Sequence, residues 1–470
     1  MLFKRKIYSK LLAWKEESRG RTAALVEGAR RVGKSTVVEE FARNEYRSYI
    51  LIDFSKASKT VLQLFDDISD LDYLFLYLQT VFRKDLHERE SLIIFDEVQF
   101  CPKARQAVKH LVADNRYDYI ETGSLVSISK NVKDILIPSE ERKIQMYPMD
   151  YEEFLWALND NQTYPLLRSL WEEKRSFGDD MNRMFLRSFR LYMLVGGMPQ
   201  AVAEYLETNS FRMVDEVKRD ILRLYEEDFR KIDPSGKACL LFRSIPSQLE
   251  KNASRYQVSS VLEGERASSV LELISEMENS KTVLISYHSD DPNAGLSRTR
   301  DLEKFKMFVC DTGLFTTMIF KDRDFTENII YEKLLSGKLE VNLGYLYENA
   351  VAQILSANGN RLFYYTFMNE KSRHNYEIDF LLSRRNKICV LKVKAGGYMT
   401  HASMDAFCEK YSSRILEKYL VWAKEFRKDR DIFCIPFYFV PFLSSMLTFS
   451  NHTEVKLIKT PKLILSDIRN

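Results

Sequence analysis

A glycine-rich turn between an apolar run and a helical pattern constrains this sequence more than any other feature. The apolar run Ala23–Val26 leads into Gly28-Ala29-Arg30-Arg31-Val32-Gly33-Lys34-Ser35, which matches the pattern G-x-x-x-x-G-K-[ST]. Val37, Val38 and Phe41 follow at helical spacing. In such a turn, successive backbone N–H groups point inward around a phosphate, and the N-terminus of the next helix adds partial positive charge. The sequence therefore predicts a strand, a phosphate-binding loop and a helix in this order.

Most residues of this loop are candidates for contacts with a nucleotide. Lys34 is expected to reach the β- and γ-phosphates, and the Ser35 hydroxyl is expected to ligate Mg²⁺. The full candidate set is Gly28, Arg31, Val32, Gly33, Lys34, Ser35 and Thr36. A chance Gly-Lys turn is the alternative, which the flanking patterns and a second motif downstream disfavour.

The second motif is a pair of carboxylates directly after an apolar run. Ser91–Phe95 predicts a buried strand, and Asp96 and Glu97 follow it. Asp96 can hold Mg²⁺ directly or through water, and Glu97 can polarise the attacking water as a general base. An Asp-Glu surface turn is the alternative. Together with the loop, the pair favours hydrolysis of ATP over a small-molecule kinase reaction.

A third polar segment ends the next predicted strand, 117–121. It reads Thr122-Gly123-Ser124. Ser124 is the favoured contact to the γ-phosphate or to the attacking water, and Thr122 is the alternative. A plain helix cap or turn explains the segment equally well. Strands alternate with helical patterns here, and a fifth strand is predicted at 143–147, so we expect a parallel sheet covered on both faces.

Composition excludes several classes of protein. A net charge of +3 in 470 residues means that the chain as a whole lacks the strongly basic character typical of nucleic-acid-binding proteins, so any basic surface must be local. The six cysteines lie far apart without any C-x-x-C pair, so neither a zinc site nor a disulfide framework is indicated, and a reducing cytoplasm is expected. The basic N-terminus lacks the apolar run of a signal peptide. The apolar segment 433–443 is too short to span a bilayer and predicts a buried strand, so no membrane association is expected.

The second half of the chain changes character twice. Residues 150–230 are helical and aromatic-rich, with a break at Val195–Pro199, and predict a helical lid. Residues 237–320 show the element order of a winged helix. Helices are expected at 259–262 and 267–277, and the hairpin at 282–287 and 306–309. Glutamates on the third helix oppose DNA binding, whereas four basic residues favour it, so protein contact is preferred and DNA binding stays open. These basic residues are Arg298, Arg300, Lys304 and Lys306.

The chain resembles bacterial and archaeal AAA+-type P-loop ATPases that carry a C-terminal domain of unknown function with a restriction-endonuclease-like, PD-(D/E)XK-related fold. The matching segments are Gly28–Thr36, Ile94–Gln99, Thr122–Ser124, Gly196–Val202, Phe305–Leu314 and Tyr347–Asn349. The resemblance implies binding of ATP and Mg²⁺, hydrolysis, and a multidomain α/β architecture. It divides the chain into a P-loop ATPase core (1–149), a helical lid (150–233), a winged-helix-like module (234–325) and the C-terminal domain (340–470).

Two departures from the family pattern concern single residues. The family places Gly-Arg before the segment that leads into the lid, and here Glu141 precedes Arg142. The resemblance implies a γ-phosphate contact for Arg142, which this change weakens. In the nuclease pattern, Asp379 matches the first metal-binding carboxylate and Glu348 is a helper.

Lys392 stands at the second metal-binding position of that pattern. We expect Lys392 to pair with Asp379 or Glu348 and the domain to be an inactive nuclease. The alternative is that Glu377 moves in as a substitute ligand.

The preferred function is an ATP-driven switch or remodeller that acts on its own C-terminal modules and on an unidentified protein partner. One alternative is a slow-turnover signalling or scaffold ATPase. The other is a DNA-acting ATPase with a working nuclease domain. The sequence leaves the oligomeric state open.

Overall fold

A parallel sheet of five strands forms the first part of the molecule. The structure is a computed structural model that describes residues 1–123, 139–251, 253–321, 328–337, 344–369, 375–395 and 401–447. The strands are β1 (Ala23–Glu27), β2 (Ser48–Asp53), β3 (Ser91–Asp96), β4 (Asp118–Gly123) and β5 (Glu141–Gln145). Their order is β2-β3-β4-β1-β5, and each neighbouring pair is parallel. The predicted parallel sheet is thus confirmed.

Helices cover both faces of this sheet, because alternate residues of its strands point to opposite sides. Ala24 and Val26 of β1 belong to one hydrophobic core, and Ala23 and Leu25 belong to the other. The helices are α1 (Ile7–Ser18), α2 (Lys34–Glu45), α3 (Lys59–Gln63), α4 (Leu71–Phe82) and α5 (Pro102–Asp114). The sequence predicts one helix over 61–86, but the segment breaks where the Asp70 side chain accepts a hydrogen bond from the Tyr73 N–H at 2.9 Å and starts α4.

Five helices follow the sheet along the chain, and their main contacts are with one another and with elements of the second half of the molecule. They are α6 (Tyr151–Ala157), α7 (Thr163–Glu173), α8 (Asp179–Val195), α9 (Pro199–Thr208) and α10 (Phe211–Ile232). Gly196 and Gly197 separate α8 from α9. A side chain at Gly197 would lie 2.0 Å from the Met149 carbonyl oxygen, so this turn packs directly on the end of the segment that follows β5.

An eight-stranded sheet organises the rest of the chain. Its strands are β6 (Val283–Ser289), β7 (Arg300–Val309), β8 (Leu362–Met368), β9 (Asn375–Arg384), β10 (Lys387–Val393), β11 (Ile415–Trp422), β12 (Arg427–Asp429) and β13 (Ile432–Pro436), in the order β12-β13-β11-β10-β9-β8-β6-β7. The helices are α11 (Lys237–Arg243), α12 (Ile245–Glu250), α13 (Leu271–Asn279), α14 (Thr312–Ile319), α15 (Asn328–Ser336), α16 (Gly344–Ala357) and α17 (Ala402–Lys410).

The predicted hairpin is present, but it belongs to this larger sheet. β6 pairs antiparallel with β7 and parallel with β8. The sheet therefore crosses the boundary that the sequence placed between the winged-helix-like module and the C-terminal domain. The physical reason is that the second edge of β6 has unpaired backbone groups, which β8 satisfies.

Two predicted elements near these strands are shorter than expected. The predicted helix at 259–262 is a 3₁₀ turn, Val258–Ser260. The predicted strand 433–443 ends at Pro436, and a 3₁₀ segment begins at Phe437. Proline lacks the N–H that would continue the ladder, which explains this end. No helix within the described ranges is long and apolar enough to cross a lipid bilayer.

Candidate nucleotide-binding site

The predicted phosphate loop lies between β1 and α2, at the edge of the sheet where the parallel strands end. Gly33 has a φ of 94° and precedes the first residue of α2. A side chain at Gly28 would meet the Met146 carbonyl oxygen at 2.2 Å. Arg31 also adopts a left-handed conformation, with a φ of 68°. The two glycines therefore satisfy a positive φ and a close backbone approach, which is how this motif forms a turn around a phosphate.

The Lys34 side chain is buried inside the loop. Its ammonium donates hydrogen bonds to the carbonyl oxygens of Gly28, at 3.1 Å, and Ala29, at 3.0 Å. Burial lowers the pKa of Lys34 to about 8, against the opposing effect of the Glu97 and Asp96 carboxylates. An ammonium held by two neutral carbonyls in a buried site gains from an anionic partner, so this position favours a phosphate.

The Asp96 carboxylate accepts hydrogen bonds from the hydroxyl groups of two other segments. Its Oδ1 accepts a hydrogen bond from the Ser35 hydroxyl at 2.7 Å and another from the Thr122 hydroxyl. The Thr122 Oγ1 also accepts from the Glu97 N–H at 3.4 Å. The structure thus brings together the predicted metal ligands Ser35 and Asp96. It also places Thr122, the alternative of the third motif, in the site, while Ser124 lies outside the described residues.

Glu97 is less buried than Asp96 and lines the same cavity. It has a φ of 54°, which turns the chain sharply after β3. Its carboxylate accepts a hydrogen bond from the side-chain amide of Gln99, a residue that the sequence analysis missed. The turn leaves the Glu97 carboxylate accessible from the cavity, as a general base requires.

The loop opens into a cavity of about 720 Å³, within the size range of small-molecule sites. Helices α9 and α10 and the first residues of the chain form another wall of this cavity. This wall consists of Met1, Leu2, Phe3, Pro199, Gln200, Ala203, Asp228 and Lys231. Polar groups of the loop and apolar groups of the N-terminus thus face one space, which suits a nucleotide with charged phosphates and an aromatic base.

Arg5 is a buried residue of the site that sequence reasoning missed. Its guanidinium donates hydrogen bonds to the carbonyl oxygens of Val32, at 2.8 Å, and Tyr147, at 2.7 Å. Its Nε lies 3.2 Å from the Glu153 carboxylate. Arg5 therefore fixes the phosphate loop to the segment after β5 and to α6. The sequence showed a basic N-terminus, but no local pattern indicated these partners.

The structure places Arg142 away from the phosphate loop of the same chain. Arg142 pairs in register with Ala24, near the start of β1, whereas the phosphate loop follows the end of that strand. Because β1 and β5 are parallel, residue 142 lies toward the opposite edge of the sheet. Its half-exposed side chain forms an ion pair of 2.5 Å with Glu17 and is absent from the cavity lining.

A second polar cluster lies in the eight-stranded sheet, where three carboxylates that could hold a metal meet two lysines. The Lys392 ammonium lies 2.6 Å from Asp379, which confirms the predicted pairing. Lys306, on β7, lies 3.1 Å from Glu348 and 2.7 Å from Glu377. The sequence analysis missed Lys306 here and considered it only for DNA.

The charges of this cluster compensate one another. Burial raises the pKa of Asp379 to about 7, although Lys392 opposes the shift. Burial also raises the pKa of Glu377, but Lys306 and Lys392 outweigh it, so the net shift is downward. Glu377 is held by Lys306 and lies within reach of the same point as Glu348 and Asp379.

Comparison with known protein families divides the chain into three matched parts. Residues 20–155 match the family described as AAA domain. Residues 186–324 match a domain of unknown function, DUF8612, and residues 343–440 match another, DUF4143. The first match contains the phosphate loop and the two carboxylates at the end of β3, Asp96 and Glu97.

Relatives of known sequence or structure are distant. An uncharacterised protein of Haemophilus influenzae is 23% identical over 381 residues, which cover 76% of this chain and 85% of that protein. A Walker-type ATPase of Pyrococcus abyssi matches with a TM-score of 0.41 and 17% identity, over 67% of this chain and 96% of its own.

The ORC1 protein of Aeropyrum pernix, solved in complex with DNA, matches with a TM-score of 0.28 and 14% identity, over 72% of this chain and 93% of its own. The AAA-domain match, with the parallel sheet and the phosphate loop, supports an AAA-type ATPase.

Proposed function

We propose that this chain binds Mg·ATP in the cavity at the end of the parallel sheet and hydrolyses it. The observation that carries the proposal is that Lys34, Ser35 and Asp96 line one cavity, where the Asp96 carboxylate accepts hydrogen bonds from the Ser35 and Thr122 hydroxyls. The buried Lys34 ammonium favours an anionic ligand, and the hydroxyl and carboxylate oxygens of Ser35 and Asp96 are suitable magnesium ligands.

Each residue has a distinct role in this proposal. Lys34 binds the β- and γ-phosphates in place of the two loop carbonyls. Ser35 and Asp96 would hold Mg²⁺, which would supply positive charge beside the phosphates when bound. Thr122 keeps the Asp96 carboxylate oriented. Glu97 accepts a proton from the water that attacks the γ-phosphate, and Gln99 holds the Glu97 side chain in position.

We further infer that the nucleotide acts as a switch, because α9 and α10 form one wall of the cavity and continue into the segments that pack on the eight-stranded sheet. A ligand that contacts both walls changes their relative position only if it binds the two arrangements with different affinity. An unidentified protein partner would respond to this change in the relative position of the two walls. The slow-turnover scaffold remains the second candidate for the same site.

The proposal assigns no nuclease activity to the carboxylate cluster. Two ammonium groups lie where a divalent cation would have to bind. Each unit-charge interaction at ~4 Å is worth about 4 kcal/mol at an effective dielectric constant near ~20, so the lysines strongly disfavour a metal. Without a metal, no activated water is available for phosphodiester hydrolysis.

Binding of a fluorescent ATP analogue to the Lys34→Ala variant tests the proposal. We expect loss of binding, because the buried cation in the loop disappears. The control is Lys103→Ala, which removes an exposed lysine that pairs with Asp66 at 2.9 Å outside the cavity. Equal binding by parent and Lys34→Ala would contradict the site assignment. Measured ATP turnover then separates the switch from the slow-turnover scaffold.

A further inference from the structure

Two contacts tie residue 30 of the phosphate loop to helix α10. The Arg30 guanidinium lies 3.2 Å from the Asp228 carboxylate. The carbonyl oxygen of Arg30 accepts a hydrogen bond from the buried Tyr225 hydroxyl at 3.0 Å. Tyr225 and Asp228 are three residues apart and therefore share one face of α10. This face of α10 is thus fixed to the loop by one backbone contact and one ionic contact.

The ionic contact lies beside the proposed phosphate site. Arg30 and Asp228 both line the cavity. Their charges act on the buried Lys34 ammonium in opposite directions, since Arg30 lowers and Asp228 raises the pKa of Lys34. The Arg30 guanidinium is therefore near the ammonium that is expected to bind the β- and γ-phosphates.

Two other cations around the cavity are held by partners away from α10. Arg5 is bound to two carbonyl oxygens and Glu153, and Lys56 lies 3.1 Å from Asp53. Arg31 lines the cavity but makes no hydrogen bond or ion pair to α10 within the described ranges. Arg30 is thus a loop cation whose ionic partner lies on α10.

The Arg30 guanidinium can leave the Asp228 carboxylate for another anion at little cost. The Arg30 side chain retains 37% of its exposure, and ion pairs this accessible contribute little to stability. A terminal phosphate offers several charged oxygens and can accept two parallel hydrogen bonds from a guanidinium. Asp228 keeps a partner when Arg30 leaves, because the Lys231 ammonium lies 3.1 Å from it.

We propose that Arg30 exchanges Asp228 for the γ-phosphate of bound ATP, so that ATP, unlike ADP, releases the ionic contact between the phosphate loop and α10. This inference rests on the proposed binding of ATP. It gives the γ-phosphate a contact within the same chain and makes the Arg30–Asp228 pair the part of the site that distinguishes the two nucleotides.

The release would reach the second half of the molecule through α10. This helix has 22 residues and spans about 33 Å. Near its start, the buried Asp215 carboxylate accepts hydrogen bonds of 2.8 Å from Thr317 on α14 and from Tyr331 on α15. A movement of α10 at Asp228 would therefore act on the helices that pack beside the eight-stranded sheet.

The test compares the affinity of the full chain for ADP and for the non-hydrolysable ATP analogue adenylyl imidodiphosphate. Arg30→Gln should weaken binding of the analogue by about 10- to 100-fold, the range for a lost charged hydrogen bond, and leave ADP binding within about 3-fold. Asp228→Asn should strengthen binding of the analogue, because it removes the competitor for Arg30. That gain should vanish in the Arg30→Gln/Asp228→Asn double variant.

Arg223→Gln is the matched control, because Arg223 lies on the same helix in an exposed ion pair with Asp220. It should leave both affinities unchanged. Arg30→Lys retains the positive charge without the two parallel donors and should give an intermediate loss, which separates the contact from a folding defect.

An unchanged ratio of the two affinities in Arg30→Gln would overturn the exchange alone. A loss specific to the analogue in Arg31→Gln, with none in Arg30→Gln, would also overturn it. Failure of the parent protein to bind either nucleotide would overturn the proposed function and this inference together.

Discussion

Asp96 and Glu97 are adjacent in the sequence but have different surroundings. Asp96 is buried and accepts hydrogen bonds from Ser35 and Thr122. Glu97 is partly exposed, and its left-handed backbone turns it toward the cavity. The buried carboxylate is fixed and suits a metal, whereas the accessible one suits proton transfer.

Glu97→Gln should keep ATP binding and slow hydrolysis by about 10²- to 10⁴-fold, the size of a general-base effect. The reason is that the amide preserves the shape of the side chain but cannot accept the proton of the water. Steady-state turnover and the ratio of bound ATP to ADP are the measurements. Glu88→Gln, at an exposed position outside the cavity, is the control. Equal turnover in parent and variant would contradict the role of Glu97 as a general base and leave it only a structural role in the turn after β3.

The affinity for ATP should fall as the pH rises above about 8. The pKa of Lys34 is lowered to about 8 in the free protein, mainly by burial. A bound triphosphate favours the charged ammonium and raises that pKa, so binding takes up a proton when the free lysine is neutral. The dissociation constant should then increase by at most about tenfold per pH unit.

Titration of a fluorescent ATP analogue between about pH 7 and about pH 9.5 measures this dependence. Lys34→Arg keeps its charge over the whole range and should show a flatter profile. A constant affinity in the parent would contradict the role of the Lys34 charge.

At the scale of elements, Arg5 connects three parts of the site that are distant in sequence. It holds the phosphate loop at Val32, the segment after β5 at Tyr147, and α6 at Glu153. Both members of the ion pair are buried, with side-chain exposures of 6% and 5%. Removal of one partner would leave the other as an uncompensated buried charge.

Arg5→Met should lower the free energy of unfolding by about 3–5 kcal/mol and weaken nucleotide binding, since the loop loses its support. Denaturant unfolding and nucleotide titration measure the two effects. Lys4→Met is the control, because Lys4 is exposed and its ammonium only lies over the Trp156 ring, at 4.2 Å. Wild-type stability in Arg5→Met would show that the buried pair contributes nothing.

At the scale of the whole molecule, the eight-stranded sheet joins the middle segment of the chain to its C-terminal part. β6 and β7 come from the middle segment, and Lys306 on β7 inserts its ammonium between Glu348 of α16 and Glu377 of β9. Lys306 thus links three elements through charge.

Lys306→Met should destabilise the protein by about 3–5 kcal/mol, because Glu348 and Glu377 lose their buried counter-charge. Mn²⁺ should raise the melting temperature of this variant but not that of the parent, since the carboxylates can then accept a cation. Lys304→Met, on the same strand and in a more exposed ion pair with Asp301, is the control. The absence of any effect of Mn²⁺ on Lys306→Met would contradict this account of the cluster.

The purified protein should not cut supercoiled plasmid DNA in the presence of Mg²⁺ or Mn²⁺, because Lys306 and Lys392 occupy the carboxylate cluster. Lys392→Glu, which restores the second carboxylate of the nuclease pattern, is assayed beside the parent. Cleavage by the parent that disappears in Asp379→Ala would contradict the prediction.

The sequence by itself determined the features that depend on consecutive residues. The phosphate loop needs glycines at fixed positions between a strand and a helix, and Asp96 and Glu97 need only the end of an apolar strand. The alternation of strands and helices was sufficient to predict the parallel sheet, because parallel neighbours require a crossover between them.

Only the tertiary structure decided which distant side chains meet. Thr122 reaches Asp96 across 26 residues, and Arg5 reaches Tyr147 across 142. Arg142 lies away from the phosphate loop because of its place in the strand register, which no local pattern reveals. The physical reason is that partners for buried charges are supplied by whichever strands become neighbours, and strand order is set by packing over the whole chain.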